Sequence, residues 1–194
     1  MLAGLGPFIA GLITLSLQKK ISKQITIFGG QKIKNLLIVI LPVFSFSIIG
    51  LENSTGFNKH YFGFIYAFIN VIYAFLEEFG WRRYLQNALE GINVHIKYIL
   101  IGVVWWLWHV RFESEFDLLI FPLICIVGGY LLGQLTDKTK TILPTAMLHT
   151  LIIILTNTGS VTTEKTMGVV ITITCWILIE QIWKRKIRTL NTIS

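Results

Sequence analysis

YFGFIYAFINVIYAFLEEFGWRRYLQ, residues 61–86, is an apolar run that ends in two adjacent carboxylates and two adjacent arginines. Its first part, 61–79, approaches the roughly 20 apolar residues that carry a helix across a bilayer. Six more runs of this kind fall at 2–17, 36–51, 98–110, 118–135, 142–157 and 167–183. The chain has 194 residues, of which 54% are hydrophobic and only 14% charged. An ordinary soluble domain carries about a quarter charged residues. The composition therefore excludes a soluble globular domain and predicts a single all-α transmembrane domain over 1–194, a polytopic helical bundle of about seven spans. Several runs are short, 98–110 most of all, so either their helices extend into the flanking amphipathic residues or one run does not cross fully.

The cations give this bundle an orientation. Segments 18–35, 80–97, 136–141 and 184–194 hold 14 of the 17 Lys and Arg residues, and the intervening loops hold Lys59, Arg111 and Lys165 singly. Short basic loops stay cytoplasmic, so the alternation predicts an N-terminus outside and a cytoplasmic C-terminus. The net charge of +7 is then accounted for by the lipid bilayer and its anionic heads, and no nucleic-acid partner is called for. Residues 2–17 have neither a basic flank before them nor a small-residue cleavage site after them, which predicts an uncleaved first span. Cys125 and Cys175 stand alone within predicted spans and read as apolar filler rather than ligands or a disulfide. Lys outnumbers Arg and Ile is abundant, a composition expected of a bacterial plasma-membrane protein.

Read as a helix, 61–86 aligns Asn70, Tyr73, Glu77, Trp81 and Tyr84 at steps of three and four, on one face. A face so polar has no place against lipid. Arg82 follows Glu78 by four residues, the spacing at which a guanidinium meets a carboxylate on one helix. That pairing engages Glu78 and directs Glu77 elsewhere. A carboxylate in a low-dielectric cavity is suited to take a proton from water. Its partners must come from other helices. GVVWWLWHV (102–110) sets His109 four residues after Trp105, and LPTAMLHTLIIIL (143–155) sets His149 four residues after Thr145. Intramembrane ionisable residues are functional by default, whereas a solitary histidine often serves only as a helix-to-helix hydrogen bond. Two histidines with two glutamates could also complete a tetrahedral zinc shell. The sequence lacks H-E-x-x-H or any other local ligand pair, so zinc is the weaker reading and no cofactor is expected.

These residues resemble a known family. EEFGWR (77–82) fits the E-E-x-x-x-R motif of the CPBP membrane proteins, which include the CAAX-processing Ras-converting enzyme and bacterial Abi proteins of bacteriocin processing and immunity. WWLWH (105–109) resembles the F-x-x-x-H motif, with Trp in place of Phe. HTLII (149–153) resembles the third motif, in which His is followed four residues later by Asn or Asp and which here has Ile153. GGYLLGQLTDKTKTILPTAMLH (128–149) is similar to the lead into that His. The motif-bearing core spans about 60–157.

The resemblance implies a glutamate-dependent intramembrane peptidase acting on a peptide or lipidated protein substrate. Glu77 would activate water with His109, and His149 would polarise the scissile carbonyl. Glu78 and Arg82 would hold the site, with Trp105, Trp81, Tyr73 and Asn157 as substrate contacts. Ile153 removes the usual second oxyanion partner, and losing one such donor costs about a hundred- to a thousandfold in rate. That departure keeps open a member diverged toward lipoprotein N-acylation or toward non-catalytic immunity. At about 1.5 Å per residue, Glu77 and His109 fall at opposite ends of their runs. They meet if the third helix begins lower and runs on through WRRYLQNALE, which burial of Arg82 against Glu78 permits, or if the fourth starts before Lys97; the long third helix is the expectation.

Overall fold

The computed structural model describes residues 2–17, 24–156 and 160–193. Those residues are all-α, with seven helices: α1 (Leu2–Leu17), α2 (Lys32–Ile49), α3 (Lys59–Glu78), α4 (Val94–Trp108), α5 (Phe121–Thr139), α6 (Leu143–Thr156) and α7 (Thr163–Ile193). Each predicted apolar run is a helix. Four helical stretches have the length and apolarity to cross a membrane: Lys32–Ile49, Lys59–Gln86, Phe116–Thr139 and Thr163–Thr189. Gly4–Leu17, Val94–Trp108 and Leu143–Thr156 are shorter and apolar. Large apolar side chains stand exposed along them, with Ile48 at 71%, Leu119 at 65% and Ile182 at 63%. Water does not tolerate so much apolar surface, and a bilayer supplies its solvent. The protein is a multi-pass membrane protein.

The third helix does not stop at its charges. After Glu78 it widens into a π-helical segment, Phe79–Gln86, which carries it through both arginines. Arg82, counted in sequence with a basic loop, is completely buried inside this helix. Its charge therefore belongs to the protein interior, where Glu78 makes it tolerable. α4 likewise begins before Lys97, capped by Asn93, whose side chain accepts from the backbone N–H groups of His95 and Ile96.

The chain forms two compact units, residues 1–30 with 73–145 and residues 31–72 with 146–194. The first unit is built on close backbone approach. A Cβ on Gly102 of α4 would lie 2.6 Å from Ile126 Cα of α5, and one on Gly129 would lie 2.8 Å from Gly102 Cα. Only glycine permits this contact, the usual means by which membrane helices gain packing energy. α1 seats the same way on the π segment, since a Cβ on Gly80 would collide with the Pro7 backbone. Asn87 pins residues 24–27 beneath this assembly, accepting from Ile25 N at 3.2 Å and donating to Ile25 O at 3.1 Å. Thr26 then pairs with the 140–142 turn through Thr26 N to Lys140 O (3.1 Å) and Ile142 N to Thr26 O (3.2 Å).

In the second unit Phe46 of α2 is fully buried with Ile38, Ala67, Met147, Leu151 and Ile154. Gly63 and Gly168 make room for it, because a Cβ on either would strike Phe46. Lys34 and Glu180 join α2 to α7 at 2.8 Å.

Candidate active site

The first unit holds the buried carboxylates. Glu77 is 1% exposed and both its oxygens accept hydrogen bonds. The Tyr73 hydroxyl, one turn earlier on α3, donates to Oε1 at 2.6 Å. The indole N–H of Trp105, on α4, donates to Oε2 at 3.1 Å. Trp105 serves a second residue through its backbone, whose carbonyl accepts from Nδ1 of His109 at 2.7 Å. A carbonyl can only accept, so this bond places the ring proton on Nδ1 and leaves Nε2 as the basic nitrogen of the neutral ring. The His109 ring stands edge-on to Phe121 at 4.9 Å. His109 closes α4, half-buried.

Glu78 points elsewhere and meets Arg82 at 2.9 Å, with both side chains fully buried. Arg82 Nη1 reaches across to the Gly129 carbonyl at 3.2 Å, and Gln86 Nε2 to the Gly133 carbonyl at 3.0 Å. The glycine seam that lets α4 and α5 approach is therefore also what exposes carbonyls to the π segment. Arg82 Nη2 and Trp81 Nε1 are buried donors with no hydrogen-bond partner among the described residues. Trp81 lies edge-on to Trp108 at 6.2 Å.

Of the remaining predicted site residues, His149 lies on α6. His149 is in the second unit, 2% exposed, and Ile153 is 8% exposed on the same helix. Asn157 lies outside the described residues. Asn70 belongs to the second unit, where its backbone carbonyl faces the Thr150 hydroxyl at 3.4 Å. Cys125 and Cys175 are free thiols. Among the described residues no three His, Cys, Asp or Glu side chains form a metal-ligating group.

Two features escaped the sequence. The N–H of Trp105 is directed at Glu77, a role signalled only by Trp standing where the motif has Phe. The Gly129 and Gly133 carbonyls left no signal beyond the glycines themselves.

A buried, donor-held carboxylate and a half-buried imidazole, both tied to Trp105, thus lie in the first unit of a multi-pass helical protein. The model of the Rce1-like family, type II CAAX prenyl endopeptidases, matches residues 58–155, half of the chain. The chain belongs to this family. The matched stretch takes in α3, the π segment, α4, α5 and nearly all of α6, with Glu77, Glu78, Arg82, His109 and His149 inside it. No curated protein sequence matches the chain.

Proposed function

We propose that the protein is a CAAX-protease-type membrane hydrolase in which Glu77 activates water against a peptide bond of a lipidated protein or peptide. The observation that carries this reading is Glu77 itself, buried to 1% exposure with both oxygens oriented by Tyr73 and Trp105. A carboxylate held in that way is positioned before substrate arrives. Glu77 takes a proton from water as the water oxygen attacks the scissile carbonyl. Collapse of the tetrahedral intermediate breaks the C–N bond, and the same proton passes to the leaving amine. His109 assists at the water through Nε2. His149, carried over from the family motif, polarises the carbonyl. Glu78 and Arg82 hold the π segment, and the open N–H of Trp81 supports a role in substrate contact. The reaction uses no cofactor. We place the protein in a bacterial plasma membrane, with the basic segments and the C-terminus cytoplasmic.

A second reading, divergence toward acyl transfer or immunity, is favoured by Ile153, a buried aliphatic side chain where the family has Asn or Asp. Full-length protein in proteoliposomes, given a prenylated CAAX peptide and followed by mass spectrometry, separates the two. Hydrolysis by the wild-type chain supports the peptidase. Inactivity of the wild-type chain together with hydrolysis by Ile153→Asn supports divergence instead.

A further inference from the structure

A polar cavity of about 280 Å³ lies in the first unit at the end bearing segments 80–97 and 136–141. Gln86, Glu90, Lys97, Tyr98, Asp137 and Lys140 line it. It uses none of the residues assigned to Glu77 chemistry. Asp137 is its centre, accepting from the Tyr98 hydroxyl at 2.6 Å and the Lys97 ammonium at 3.1 Å, with the Lys140 ammonium 3.9 Å away. Glu90 accepts from Gln24. Gln86 is 1% exposed and commits its amide N–H to Gly133, while its Oε1 has no hydrogen-bond partner among the described residues. A buried acceptor of this kind costs stability unless a donor meets it.

The cavity thus offers two ammonium groups together with carboxylates and an open amide acceptor. A simple anion would satisfy Lys97 and Lys140 but would face Asp137 and Glu90 and leave Gln86 unmet. A simple cation would have the opposite fault. Lys140 Nζ also donates to Gln24 Oε1 at 3.3 Å, so the open atom is Gln86 Oε1; a ligand carrying both a phosphate ester and a protonated primary amine gives that oxygen its donor and sets its anion beside the two ammonium groups. Val94 lines the cavity and is 41% exposed, and its near neighbours in sequence, Ile92 and Ile96, are 41% and 52% exposed. An apolar rim next to a polar, lysine-bearing cavity is the pattern of a surface seated where lipid heads meet acyl chains.

We propose that this cavity binds the head of an amino-headed phospholipid, with the phosphate toward Lys97 and Lys140 and the ammonium toward Gln86 Oε1. The amine must donate a hydrogen bond, so a quaternary head fails. The test is retention of lipid by full-length protein in detergent, measured by native mass spectrometry with phosphatidylethanolamine and phosphatidylcholine of identical acyl chains. Phosphatidylethanolamine is expected to be retained about tenfold better, the worth of one charge-assisted hydrogen bond. Gln86→Met should abolish that preference, and Lys97→Gln should weaken retention of both lipids. Equal retention by the wild-type chain overturns the proposal without recourse to any variant, as does an undiminished preference in folded Gln86→Met. Free O-phosphoethanolamine should not displace the lipid; displacement at submillimolar concentration would assign the cavity to a soluble aminoalkyl phosphate instead.

Discussion

Trp105 is the residue on which the site turns, because it orients Glu77 with its side chain and His109 with its backbone. Trp105→Phe keeps an aromatic ring and the carbonyl but removes the N–H. It should lower kcat about tenfold with KM little changed, since the lost bond serves the reacting group rather than substrate binding. Steady-state kinetics on the prenylated peptide checks this; an altered KM alone would assign Trp105 to substrate. Glu78 and Arg82 give a stability prediction of a different kind. Arg82→Met leaves a buried carboxylate without its guanidinium and should cost about 3–5 kcal/mol, whereas Glu78→Met combined with Arg82→Met should recover most of that. Unfolding of the single and double variants in detergent measures both. The pairing was legible from the four-residue spacing. The Gly129 carbonyl that holds the other side of Arg82 was not, because backbone acceptors are common to every residue and only packing selects one.

At the scale of elements, the apolar runs located the seven helices of the described residues; the largest difference of extent came at the seventh, Thr163–Ile193 against a run of 167–183, while the third helix continued through its charges as expected. In that third helix the sequence changes from apolar to charged at Glu77, yet the helix continues to Gln86 because Glu78, Gly129 and Gly133 satisfy the polar side chains it carries. Its widening to π winding has no counterpart in hydrophobic periodicity and coincides with Gly80, where α1 comes closest. π segments often mark functional positions, and this one joins Glu78 to Arg82. The α4–α5 seam sets the distance across which Arg82 and Gln86 reach. Gly102→Ala forces a Cβ against Ile126 and should destabilise the protein by about 1–3 kcal/mol. It should also open the seam beside Cys125, which is 1% exposed. Site-resolved maleimide labelling is expected to modify Cys125 faster in Gly102→Ala than in the wild-type chain, while Cys175 labels equally in both.

For the whole molecule, the membrane class was plain from composition and apolar spacing. The division into two units, each drawn from separate stretches of sequence, was not, since α3 and α6 each give residues to both units without any break in their helical pattern. The candidate site was legible as a set of residue types through its motifs. Its wiring through Trp105 and Tyr73 was not, because hydrogen-bond direction depends on side-chain placement that periodicity leaves open. The basic segments predict a cytoplasmic C-terminus, and a reporter fused after Ser194 should be active only if it is intracellular. Burial of Arg82 subtracts one cation from that asymmetry and leaves its sign unchanged. Metal-independence is tested by incubating the protein with 1,10-phenanthroline, which should leave hydrolysis unaffected. The central claim is that Glu77 is the base. Glu77→Gln keeps the shape and the neighbours of the side chain and removes its capacity to take a proton. In proteoliposomes, with folding verified by an unchanged unfolding midpoint, hydrolysis of the prenylated peptide should fall by at least about a hundredfold. Wild-type turnover by a folded Glu77→Gln protein would contradict the account.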